Sequence, residues 1–214
     1  MSASDATRVR ADAAPLGRDA RARPFASMVH LVTRSQTGDR TGVCLWLTGL
    51  SGAGKSTTAR AVGAPLRKRG HQVTLFDGDE FRARVSTDLG FSKADRDTNV
   101  MRVASLARDV VERGEIVICA LVSPYGGTRD RARQLIGGHK FLEVFVDAPL
   151  ALCEARDTKG LYARARRGEL TGLTGVDDPY EAPISPDLVV RTTDGTVEHN
   201  VRLVLELLAA RKFL

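Results

Sequence analysis

One octapeptide narrows what this chain can fold into. Gly49-Leu50-Ser51-Gly52-Ala53-Gly54-Lys55-Ser56 has the form G-x-x-x-x-G-K-[ST]. Its glycines let backbone N–H groups turn inward around phosphate oxygens. At that spacing Lys55 reaches the β- and γ-phosphates, and the Ser56 hydroxyl can ligate Mg²⁺. The motif carries meaning between a strand and a helix. Val43-Cys44-Leu45-Trp46-Leu47-Thr48 reads as a buried strand before it, and a helical pattern runs from Lys55 to Arg69 after it. The sequence therefore predicts a nucleoside triphosphate site in which Gly49, Leu50, Ser51, Gly52, Ala53, Gly54, Lys55, Ser56 and Thr57 surround ATP.

Composition limits the remaining choices. A chain of 214 residues, 43% hydrophobic and 27% charged, is large enough for one domain with a substantial core. No apolar run approaches the ~20 residues that span a bilayer. The net charge is +6. The arginines are spread along the chain instead of clustering with aromatics, which argues against nucleic acid as a partner. Met1 to Pro24 has no apolar stretch and is not a secretory signal; Asp5, Asp12 and Asp19 count against a transit peptide. Residues 1–24 are expected to form a disordered arm, and residues 25–214 a single domain. Cys44, Cys119 and Cys153 lack metal-binding spacing and read as reduced core residues of a cytoplasmic protein.

Beyond the phosphate loop, strands and helices alternate. Strands are expected at 72–76, 116–121, 141–146 and 188–190, and helices at 94–113, up to Ile136, from Pro149, and at 197–212. Ser92 is the expected cap of the second long helix. This alternation implies a parallel five-stranded sheet with helices on both faces, a P-loop α/β fold. Ligands of such sheets sit at the carboxyl ends of the strands, where the phosphate loop, Asp77-Gly78-Asp79 and Ser123-Pro124-Tyr125 all fall. A basic stretch, 156–167, and an aperiodic one, 171–186, suggest a lid over about 156–186.

The chemistry-bearing residues follow from this frame. Strand three ends in no carboxylate, so Asp79 is the expected partner of Mg²⁺ or of the acceptor hydroxyl's proton; the bland alternative makes Asp79 a helix N-cap. Arg82, Arg96 and Arg102 could hold a second anionic substrate in line with the γ-phosphate, and Asn99 shares their helix face. Phe91 is either core or a wall on which a base stacks. Ser123 precedes a proline and is expected to be extended, exposing its hydroxyl at the strand end.

Taken in order, these segments resemble the adenylyl-sulfate kinase family. The resemblance rests on the phosphate loop with its flanks, Asp77-Gly78-Asp79, Leu89-Gly90-Phe91-Ser92, Asp95-Arg96, Asn99, Ser123-Pro124-Tyr125, Arg156-Asp157, Lys159-Gly160-Leu161-Tyr162, Thr174-Gly175 and Asp177-Asp178-Pro179-Tyr180-Glu181-Ala182-Pro183. It implies a core like that of nucleoside monophosphate kinases, and transfer of the ATP γ-phosphate to the 3′-hydroxyl of adenylyl sulfate, giving PAPS and ADP. It implies catalytic roles for Lys55, Asp79 and Ser123, the last able to carry a phosphate in some relatives without being an obligatory nucleophile. It implies Mg²⁺ on Ser56 and Asp79. Asp79, Arg82, Phe91, Arg96, Asn99, Ser123, Lys159 and Leu173 would contact the acceptor. A homodimer and association with an ATP sulfurylase are partner expectations of the same kind.

The chain departs from the family pattern at three positions. Leu173 stands where the family usually has the Phe forming the second wall of the adenine sandwich, Thr98 replaces a Glu, and Met101 replaces an Arg. These changes leave the phosphoryl-transfer residues intact and keep open a related kinase with a different small acceptor. A second alternative, a nucleotide-binding partner of a sulfurylase that turns nothing over, is opposed by the intact Lys55, Ser56 and Asp79.

Overall fold

The computed structural model describes residues 41–214; the expected arm 1–24 and the lead-in to the first strand lie outside the described residues. Five strands form one parallel sheet: β1 Val43–Thr48, β2 Val73–Asp77, β3 Ile116–Ala120, β4 Phe141–Asp147 and β5 Leu188–Arg191, in the order β2-β3-β1-β4-β5. β1 lies at the centre, with Leu45 opposite Ile118 on one side and Leu142 on the other. All six of its residues are buried, as a parallel strand covered on both faces requires.

The helices are α1 Lys55–Lys68, α2 Gly78–Arg84, α3 Lys93–Glu112, α4 Gly126–Ile136, α5 Leu150–Arg156, α6 Leu161–Arg166 and α7 Val197–Ala210. Alternation along β1 assigns its residues to two layers. Val43, Leu45 and Leu47 join Ala59, Val62 and Leu66 of α1 and Val204 and Leu208 of α7 in one apolar cluster. Trp46 points the other way, stacked on Phe141 at a centroid distance of 5.4 Å, where α3 packs against β1, β3 and α4. Each large side chain so buried contributes about 1.5–3 kcal/mol, and the central strand is thereby the most firmly held element.

Helix ends follow local chemistry. Ser92 caps α3 by accepting from Asp95 N at 3.1 Å, as its position predicts. Asp77, not Asp79, caps α2, with its carboxylate accepting from Asp79 N at 3.2 Å. The basic stretch is not one helix. Arg156 ends α5, Lys159 sits in the turn, and the Asp157 carboxylate caps α6 through Tyr162 N and Ala163 N at 3.1 and 2.9 Å.

Two glycines, one just after β1 and one just after α1, differ in what they tolerate. Gly49 has φ 150°, and a Cβ there would lie 2.4 Å from the Val146 carbonyl oxygen; Gly70 has φ 81° with nothing within 4 Å of such a Cβ. Gly70→Ala should therefore cost only the left-handed strain, about 1–2 kcal/mol. Gly49→Ala adds a clash with fixed backbone and should cost about 2–6 kcal/mol. Urea unfolding of the two variants checks the order; equal losses would contradict it.

Candidate active site

The phosphate loop is a backbone cradle without an anion of its own. Gly52 and Gly54 take φ of 77° and 105°. α1 starts at Gly54 with no side-chain cap and no acidic residue in its first turn. Its first N–H groups and the positive end of its dipole are thus left for a ligand. Ser51, Gly52, Gly54, Lys55, Ser56 and Thr57 line a cavity of about 870 Å³ at the strand ends. Gly49, Leu50 and Ala53 do not line it. Ala53 is fully buried in the core and Leu50 packs against that core.

Lys55 is the buried charge of the site. Its ammonium donates to Gly49 O at 2.9 Å and Leu50 O at 2.8 Å. Burial, then repulsion from Lys159, pushes its pKa from 10.5 down to about 8.

Two groups of contacts divide the cavity. On one side Arg82 lies over the exposed Phe91 ring at 4.8 Å and donates to Gly90 O, while Arg96 approaches the same ring at 5.8 Å. Burial, and next the charge of Arg96, disfavour the charged form of Arg82, so an anion here would be favoured. Arg96 also grips the aperiodic segment, donating to Thr174 Oγ1 at 2.9 Å and to Gly172 O. Asn99 is 5% exposed and lines the cavity, and its Oδ1 has no partner among the described residues. A buried amide oxygen left so costs stability unless a ligand answers it. Leu173 lines this side too, although at 9% exposure most of it belongs to the core. On the other side Arg156 donates to Gly52 O and Thr192 Oγ1 at 3.1 and 3.3 Å, beside Thr196 and Asn200. Between the two, Lys159 is paired with Asp79.

Asp79 does not cap its helix, which removes the bland alternative, and it lines the cavity paired with Lys159. Other expectations change. Arg102 does not line the cavity; it binds Asp88 bidentately at 2.6 and 2.8 Å. Thr98 and Met101 also lie off the lining, and the Thr98 hydroxyl back-bonds to Ala94 O. These two departures therefore do not touch the acceptor side.

The largest correction concerns Ser123. It is neither extended nor exposed: φ is 39° and exposure 3%. Trp46 Nε1 donates to its Oγ at 3.1 Å, and that Oγ donates to Thr48 Oγ1 at 3.0 Å. Thr48 spends its own proton on Val122 O at 2.7 Å, so the Tyr180 hydroxyl, 3.0 Å away, is the donor to Thr48. A left-handed residue before proline costs on the order of 1–3 kcal/mol and persists only where its surroundings over-determine it. Here the buried hydrogen bonds outweigh the local preference. They also turn the hydroxyl into the core, while Val122, Ser123 and Pro124 still contribute to the cavity wall.

Sequence reasoning missed two ties onto the phosphate loop, from Arg156 and from Tyr162, whose hydroxyl donates to Ser51 O at 2.9 Å. No periodicity signals them; the hints in the sequence are the basic stretch 156–167 and the family motifs Arg156-Asp157 and Lys159-Gly160-Leu161-Tyr162.

A phosphate cradle with a second anion-binding wall at the neighbouring strand ends defines a P-loop kinase. Residues 41–191 match the family model described as adenylylsulphate kinase, and the chain belongs to that family. An adenylyl-sulfate kinase of Halothermothrix orenii is 47% identical over 173 residues, 81% of this chain and 92% of that protein. One from Geotalea daltonii is 50% identical over 161 residues, 75% and 79% of the two. Among solved structures, the Mycobacterium tuberculosis APS kinase CysC in complex with AMPPNP and APS matches with a TM-score of 0.77 and 41% identity, over 79% of this chain and 99% of that one.

The depressed pKa of Lys55 has a measurable consequence. Between about pH 8 and 10.5 the unfolded chain holds a proton that the folded one has released, so this group's effect is to raise stability as pH rises across that window. Triphosphate oxygens beside the ammonium reverse the shift. Nucleotide binding at pH 9 should therefore take up about one proton, and much less at pH 7. Titration calorimetry in buffers of different ionisation enthalpy reads this number; no uptake at pH 9 would contradict the assignment.

Proposed function

We infer that this protein transfers the γ-phosphate of ATP to the 3′-hydroxyl of adenylyl sulfate, forming PAPS and ADP. The observation that carries the reading is the acceptor side of the cavity. An exposed aromatic face, two guanidiniums and a buried amide oxygen without a partner suit a purine nucleotide with an anionic tail. Membership of the family supports the same choice.

The reaction then needs little covalent chemistry from the protein. The phosphate-loop amides and Lys55 hold the triphosphate, with the nucleoside lying toward Arg156 and Thr192. Phe91, Arg82, Arg96 and Asn99 hold the acceptor, and Leu173 supplies an apolar wall in place of a second aromatic ring. The 3′-oxygen bonds to the γ-phosphorus as the bond to the β–γ bridging oxygen breaks, and ADP leaves. Asp79 orients the hydroxyl and takes its proton. That requires Lys159 to leave Asp79, and the ammonium so released is free to turn toward the transferring phosphoryl group. Segment 156–167 is thereby the moving part of the lid, whereas 172–181 is a fixed wall.

Ser56 and Asp79 line the same cavity, one hydroxyl and one carboxylate, which fits a hard cation completed by phosphate oxygens and water. Among the described residues there is no cluster of three acidic, His or Cys side chains, and Mg²⁺ in such sites does not need one. When bound, Mg²⁺ supplies charge neutralisation on the β- and γ-oxygens.

The closest rival is a kinase for another small acceptor. ADP release measured with adenylyl sulfate and a panel of other hydroxyl acceptors separates the two: preference for any other member would sink our reading. Within the accepted reaction, Asp79→Asn should lower kcat by about 10²–10⁴. Nucleotide affinity should fall far less than kcat, and melting temperature should barely move, because the helix cap belongs to Asp77. A variant with full kcat would remove Asp79 from the mechanism.

A further inference from the structure

Arg129 was marked by no motif and does not line the cavity. It is 4% exposed, and its guanidinium joins three separate segments. Nε donates to Glu143 Oε1 on β4 at 2.7 Å. Nη1 donates to Ser123 O beyond the end of β3 at 2.8 Å, and Nη2 donates to Glu181 O in the wall segment at 2.7 Å. The Glu143 bond fixes the plane of the fork. The other two then fix the carbonyls on which the acceptor side is built.

Both carbonyls matter for that side. Ser123 is the residue whose φ of 39° needs outside support. Glu181 continues the docking, with its N–H donating to Pro124 O at 2.8 Å and its carboxylate accepting from Gly126 N at 2.6 Å. One residue earlier, the Tyr180 hydroxyl bonds Thr48, the residue immediately before the phosphate loop. Further up the same segment, Gly172 and Thr174 hold Arg96. The acceptor wall is therefore indexed to the donor loop through Arg129 and, as a second tie, Tyr180.

We propose that Arg129 is a positioning residue for phosphoryl transfer: it sets the place of the wall 172–181, and of Arg96 upon it, relative to the phosphate loop. The inference rests on the acceptor assignment above. Misplacing a substrate by about 1 Å can cost a hundredfold in rate, so a residue outside the cavity can control the reaction this way. A purely structural role as an internal ion pair predicts something else, namely lost stability with unchanged kinetics of the folded fraction.

Arg129→Lys keeps a cation beside Glu143 but cannot make the fork. Steady-state kinetics, run well below each variant's melting temperature, should show kcat/KM for adenylyl sulfate reduced at least tenfold, with KM for ATP within twofold of wild type. Glu143→Gln should lower the melting temperature and leave both constants within twofold, because the amide oxygen can still accept from Nε and hold the plane of the fork while the charge is lost. Should Arg129→Lys not fold, Tyr180→Phe removes only the hydroxyl tie and keeps the ring stacked near Phe145. It should reduce the same constant about threefold and leave ATP alone. Overturning results are acceptor kinetics within twofold of wild type in folded Arg129→Lys, or in Tyr180→Phe where it stands in, or equal losses for the two substrates. A wild-type protein inert toward adenylyl sulfate overturns the functional reading and this inference with it; an active wild type matched by Arg129→Lys overturns the inference alone.

Discussion

A buried ammonium that donates to two backbone carbonyls is the constraint on which the active site turns. Lys55 is held where it is because β1 runs through the middle of the sheet and delivers the chain, without slack, into the turn from Gly49 to Gly54. Burial, and next repulsion from Lys159, push its pKa down to about 8 against the opposing pull of Asp79 and Asp77. The uncapped start of α1 adds more positive potential at the same point. Such a site is unfavourable when empty and favourable around a polyphosphate, so folding energy from the central strand is converted into nucleotide affinity.

The acceptor side is assembled differently. Nothing there resembles the single continuous turn of the phosphate loop. Side chains from α2 and α3 face an aperiodic segment, 172–181, that has no regular strand or helix and is held largely by side chains, with one backbone bond to Pro124 O. Asp177 accepts from Gly172 N and Leu173 N at 2.6 Å each, Tyr125 bonds Asp178, and Arg129 and Tyr180 tie the rest to the sheet. In the reaction proposed above, the movement falls on the other side, where Lys159 parts from Asp79 before transfer.

What the sequence made legible were features that are local or periodic. The phosphate loop, the fully buried β1, the β–α alternation and the Ser92 cap all stand in the structure where spacing placed them. The errors have a common cause. Ser123 was judged by its proline neighbour, yet its conformation is decided by Trp46 and Thr48, more than seventy residues earlier in the chain. Arg102 looked like Arg96 on the same helix, but Asp88 lies within its reach and claims it. The cap of α2 went to Asp77 because its own backbone is extended while Asp79 is already helical. Arg129 and Tyr162 act through hydrogen bonds to carbonyls of distant segments, and no spacing rule encodes a partner of that kind.

Hydrogen bonds to Trp46 and Thr48 withdraw the Ser123 hydroxyl as a nucleophile, and Asp79 is assigned here to the acceptor's proton. The account is therefore one of a single direct displacement at phosphorus. The stereochemical course of transfer tests this most directly, using ATP whose γ-phosphate is made chiral with oxygen isotopes and reading the configuration of the phosphate in the product. One in-line transfer inverts the configuration, and inversion is the predicted result. Retention would require two transfers through a phosphorylated protein group, and would contradict the account at its centre.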